Sequence, residues 1–109
     1  MLIYIASPYT AGDTAINVRE SVLAAEQVRA KGHLPIVPLL SHFWHFLSPH
    51  DYRYWMDIDR EWVLQADAVL RLPGESEGAD EEVRLAREHG KAVFRSIDDV
   101  PMAMPRYFE

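Results

Sequence analysis

The apolar run Ala68 to Leu72 gives way to a turn-rich segment from Pro73 to Gly78, and Ala79 to His89 then shows helical spacing of its apolar positions. Strand, loop and helix in that order are half of a β-α-β unit, and the same order opens the chain. Leu2-Ile3-Tyr4-Ile5-Ala6 is apolar at successive positions, as a central parallel strand buried on both faces must be. Ser7 to Thr14 is a loop ending in helix-capping residues. Ala15, Val18, Val22, Ala25 and Val28 then recur at helical spacing up to Lys31, with Gly32 placed as the C-terminal cap.

The second strand spans His33 to Pro38, and its prolines suit a sheet edge. Ser41 to Leu47 is aromatic and fits either a short helix or an ordered flap. Ser48 and Pro49 fit the N-cap and first position of the next helix, whose apolar stripe is Trp55, Ile58, Trp62 and Ala66. Ala92-Val93-Phe94 makes a fourth strand after Gly90. Alternating strands and helices predict an α/β three-layer sandwich around a parallel, doubly wound sheet of four to five strands. If the chain reverses after strand two, the order is flavodoxin-like, 2-1-3-4, and ligands bind at the switch point between strands one and three. Residues 1–109 are read as one domain.

Two carboxylates break the apolar faces of their helices. Glu82 lies on the stripe of Ala79, Val83 and Ala86, and Asp59 lies between Ile58 and Trp62. Near a helix N-terminus the macrodipole favours an ionised Glu82, as a nucleophile requires. The plainer alternative is that Glu82 rims the core and helps cap its own helix. Two carboxylates at one crevice suit reactions at an acetal-like carbon, including cleavage of a sugar from a base.

The motif Ser76-x-Gly78-x-x-x-Glu82-Val83-x-x-Ala86, closing on Gly90-Lys91-Ala92-Val93, resembles the signature of the nucleoside 2-deoxyribosyltransferase superfamily, which includes 2′-deoxynucleoside 5′-phosphate N-hydrolases. Ile3 to Tyr9 is similar to that family's first strand and substrate loop. Tyr54-Trp55 through Asp59 and Leu72 to Ser76 are closest to the short, uncharacterised DUF4406-type domains. The resemblance implies that Glu82 attacks C1′ of the sugar and that Asp59, eight residues before Asp67, positions or protonates. It further implies that Ser76, Gly78 and Ser7 hold the sugar or phosphate, that Tyr9 shapes the pocket, and that no cofactor or metal is needed. The loop after strand one lacks the glycines and arginine of the nucleotide hydrolases, and Glu75 and Glu77 make the other loop acidic. A phosphate would therefore need Ser7, Ser76, Arg19 or a neighbour's Arg106.

His42 and His45 are spaced as metal ligands are, with His33 or His50 in reserve, but without supporting Cys or spaced carboxylates they read as aromatic packing. His42 is kept as a pocket-lining candidate. Asp80, Glu81 and Glu82 could form a divalent site, although adjacent helical residues diverge by about 100°. Trp44, Tyr52, Tyr54, Trp55 and Trp62 are assigned to the core. A net charge of −6 argues against nucleic acid or an anionic membrane as partner, and no apolar stretch approaches transmembrane length, so a cytoplasmic location is the default. With 109 residues and an apolar tail from Pro101 onward, a homo-oligomer (dimer or tetramer) is expected, the tail packing near a neighbour's crevice. The rivals to an N-glycosidase are a non-catalytic nucleotide-sensing module and a Mg²⁺-dependent nucleotide phosphohydrolase.

Overall fold

The computed structural model describes residues 1–103. Four parallel strands, β1 (Leu2–Ala6), β2 (Leu34–Ile36), β3 (Ala68–Arg71) and β4 (Ala92–Phe94), form one sheet in the order β2-β1-β3-β4. Both neighbours of β1 run parallel to it, Tyr4 pairing with Ile36 on one side and with Val69 on the other. The reversal after β2 is therefore present, and β2 is an edge strand as its proline suggests.

Side-chain alternation along β1 builds both layers. Ile3 and Ile5 pack with Leu70, Val28 and Val100 on the face covered by α1 (Thr14–Ala30). Tyr4 and Ala6 pack with Val63, Val69, Val83 and Ala86 on the face covered by α3 (Tyr52–Gln65) and α4 (Glu77–Glu88). Between β2 and α3 lie a single 3₁₀ turn (Pro38–Leu40) and α2 (Ser41–Leu47), so the aromatic segment is a short helix.

Capping explains the boundaries that differ from expectation. Helix α3 starts at Tyr52, because the Asp51 carboxylate accepts from the Tyr54 N–H at 2.9 Å. Ser48 instead ends α2, its N–H reaching the Trp44 carbonyl at 2.8 Å. Helix α4 starts two residues before Ala79, at Glu77, because Ser76 Oγ accepts from the Ala79 N–H at 3.1 Å. That start moves Glu82 into the second turn, where the macrodipole has largely faded.

Of the aromatic cluster, Trp62 packs against the core as expected, whereas Trp44 and Tyr52 are exposed at the rim, and edge-to-face contacts tie Trp44 to Tyr54 and Trp55. The expected packing of the tail falls mostly outside the described residues, as does Arg106. No described helix is long and apolar enough to cross a membrane.

Candidate active site

A crevice of about 930 Å³ opens beside the carboxyl ends of β1 and β3, at the switch point of the sheet. Its wall takes Tyr4 from β1, Ser7 and Tyr9 from the following loop, His45 from α2, Trp55 and Asp59 from α3, and Glu75 through Asp80 with Glu82 from the loop and start of α4. Glu82, Asp59, Ser7, Tyr9, Ser76 and Gly78 are thus brought together from three stretches of chain, the loop after β1, α3, and the loop and start of α4.

Glu82 is 7% exposed, and Tyr4 donates its phenolic hydrogen to Glu82 Oε2. Burial pushes the Glu82 carboxyl up to about 8; the Tyr4 hydrogen bond pulls it down, the charge of Asp59 pushes it up, and that of Arg71 pulls it down. The expectation that the helix end keeps Glu82 ionised is corrected here, since desolvation in the second turn outweighs the dipole. Burial raises Asp59 to about 7. It raises the Tyr4 phenol well above its usual value, with the charges of Glu82 and Asp59 adding to the effect.

Two buried polar atoms in this wall, Asp59 Oδ1 and Ser7 Oγ, have no hydrogen-bond partner. Unsatisfied buried groups cost about 1–3 kcal/mol each, and polar atoms left open in a crevice are groups that a polar ligand satisfies.

Two candidates fall elsewhere. Arg19 does not line the crevice: Val18 faces the sheet, and the next residue, turned by about 100°, points to solvent. His42 stands behind the wall, its Nδ1 2.5 Å from the Tyr9 hydroxyl, and so fixes the ring of Tyr9. The histidines that line the crevice are His45 and His50. His45 Nδ1 accepts from Trp55 Nε1 at 3.0 Å and from the His50 N–H at 3.2 Å, so the neutral His45 ring carries its proton on Nε2.

Tyr4 and Arg71 were not singled out in the sequence. A Tyr amid Ile residues on a doubly buried strand is itself a signal, because its hydroxyl needs a buried partner. Arg71, also buried, donates to the carbonyls of Leu72 and Gly74 and pairs with Asp80 at 3.0 Å, which ties the acidic loop to β3. Asp80 is therefore engaged by Arg71, Glu82 by Tyr4, and Glu81 is exposed, so the three acids diverge. His33 is buried with Nε2 2.6 Å from the Pro101 carbonyl. Among the described residues no group of three His, Cys, Asp or Glu side chains is placed to hold a metal ion.

The architecture is that of a deoxyribosyltransferase-like α/β fold. It is similar to the solved 2-deoxyribosyltransferase from the psychrotolerant bacterium Bacillus psychrosaccharolyticus, with a TM-score of 0.63 and 20% identity over 85% of this chain and 69% of that one. The chain belongs to a family described as a domain of unknown function, DUF7768, which matches residues 1–96. The short sequence strings had pointed instead to the DUF4406-type domains. No curated protein matches the chain.

Proposed function

We propose that the crevice cleaves or transfers the N-glycosidic bond of a nucleoside or nucleoside 5′-monophosphate, with Glu82 attacking C1′. The observation that carries this reading is a buried carboxylate, held by the Tyr4 phenol, in a crevice whose wall also leaves Asp59 Oδ1 and Ser7 Oγ unpartnered. The solved neighbour, a 2-deoxyribosyltransferase described as a biocatalyst for nucleoside synthesis, supports it through shared fold.

In this mechanism the Tyr4 hydrogen bond favours the ionised form of Glu82, the form that attacks. Asp59 orients the sugar or moves a proton, and Ser7 donates its hydroxyl hydrogen to the sugar. Ser76 Oγ already accepts from its own helix, so toward a ligand it acts as a donor. Tyr9, braced by His42, closes one side.

The test is chromatography of a nucleoside and nucleotide panel after incubation with the protein. Free base, or base exchange when a second base is supplied, is expected. Released phosphate would point to a phosphohydrolase, and ligand bound without change to a sensing module.

A further inference from the structure

The crevice has a charge pattern that N-glycoside cleavage does not by itself require. Asp59, Glu75, Glu77, Asp80 and Glu82 line it, and among the described residues no Lys or Arg does. Arg71 neutralises Asp80 and is otherwise engaged by two loop carbonyls. Glu75 and Glu77 are exposed at the rim and make no ion pair among the described residues. An anion entering there meets the exposed carboxylates of Glu75 and Glu77, with no cationic side chain among the described lining residues to offset them.

The same wall is aromatic. Trp55 and Tyr52 line it, and the Tyr52 hydroxyl lies close to Gly78, 3.7 Å from where a Cβ on that glycine would stand. Carboxylates beside aromatic faces attract delocalised organic cations, through Coulomb attraction and through the ring quadrupoles.

Resting on the glycosidase reading above, we infer that the substrate is an N-glycoside whose base carries a fixed positive charge, a pyridinium or N-alkylated purine nucleoside without a 5′-phosphate. The step balances without an acid. The Glu82 carboxylate forms a bond to C1′, the C1′–N bond breaks, and its electron pair neutralises the ring, so the base leaves uncharged. Water then adds to C1′ as the ester bond to Glu82 breaks. The carboxylate is regenerated, and the proton of water leaves through Asp59 to solvent.

A neutral base would need a proton from Asp59 while Glu82 stays ionised. Burial raises both carboxyls, Asp59 to about 7 and Glu82 to about 8, so it does not set one apart as the acid and the other as the base. A cation in the crevice also favours ionisation of Glu82.

The experiment compares nicotinamide riboside, 7-methylguanosine, guanosine and guanosine 5′-monophosphate on the intact protein, measuring free base by chromatography. Cationic probes are expected to exceed guanosine in kcat/KM by about tenfold or more, with the monophosphate slowest. In the double variant Glu75→Gln, Glu77→Gln the ratio of cationic to neutral turnover should fall several-fold. Guanosine or its monophosphate cleaved as well as the cations would overturn this inference and leave the glycosidase reading intact. Calorimetric titration of the Glu82→Gln variant reads the charge preference apart from turnover: tighter binding of the cationic probes supports it, while equal or absent binding overturns it. Cleavage of none of the four by the native protein would instead count against the glycosidase reading.

Discussion

The phenol of Tyr4, on the central strand, hydrogen-bonds to Glu82 seventy-eight residues further along the chain, and both groups are buried at the floor of one crevice. That bond lowers the Glu82 pKa against a larger rise from burial. Tyr4→Phe removes it. Glu82 should then ionise at higher pH, so the rise of kcat/KM with pH should move to the alkaline side. Stability should fall by about 1–3 kcal/mol, because a buried acceptor loses its donor. A pH–rate profile of the variant that overlays the native one would show that Tyr4 does not tune Glu82.

Three carboxylates in or near the crevice should rank in a fixed order. Glu82→Gln keeps shape but removes the attacking charge, so glycosidic turnover should drop by about a thousandfold or more. Asp59→Asn should cost about a hundredfold, since water can partly replace an orienting group. Glu81→Gln, on the exposed face, should leave rate and stability nearly unchanged. Steady-state kinetics on the three variants decide it: equal losses in Glu81→Gln and Glu82→Gln would contradict the placement of the site.

Stability should fall as pH rises from about 4 to about 8. Burial raises Asp59 from 3.8 to about 7 and Glu82 from 4.5 to about 8, so across that window the folded state holds protons that the unfolded chain has released. Each group then destabilises the fold by up to about 1.4 kcal/mol per pH unit. The denaturation midpoint should therefore be higher at pH 5 than at pH 8. In the double variant Asp59→Asn, Glu82→Gln this slope should flatten. A flat native profile would mean that both carboxyls are solvated.

The loop that carries Glu75 is pinned at Gly74. Its φ is +113°, and an added Cβ would lie 2.9 Å from Pro8 Cγ, in the loop after β1. Gly74→Ala should destabilise by about 1–3 kcal/mol and also impair turnover, because both crevice loops must shift. Unfolding by denaturant together with kcat/KM checks both effects; unaltered values would show that the loops are not coupled.

Phe43, Trp44, Phe46 and Leu47 of α2 are all exposed, and apolar side chains grouped on one short helix mark a surface suited to a second copy of the chain. At least a dimer is expected by light scattering. A monomer at micromolar concentration would remove that proposal.

Fold class was legible in the chain because it rests on local periodicity. Leu2 to Ala6 carries apolar side chains at every position, which only a strand covered on both faces can use, and the Ala79, Val83, Ala86 spacing turned Glu82 inward. Capping was less legible: Asp51 and Ser48 are both capping types, and only the folded chain shows that Asp51 starts a helix while Ser48 ends one. The chemistry of the crevice was decided by tertiary structure. Spacing could place Glu82 on a buried face, yet its partner comes from another element, and its proton affinity follows from how much water the packed layers exclude. For the same reason His45 lines the crevice and His42 does not. Their shared helix offers both, and the choice depends on contacts with Tyr9, His50 and Trp55 that no local pattern encodes.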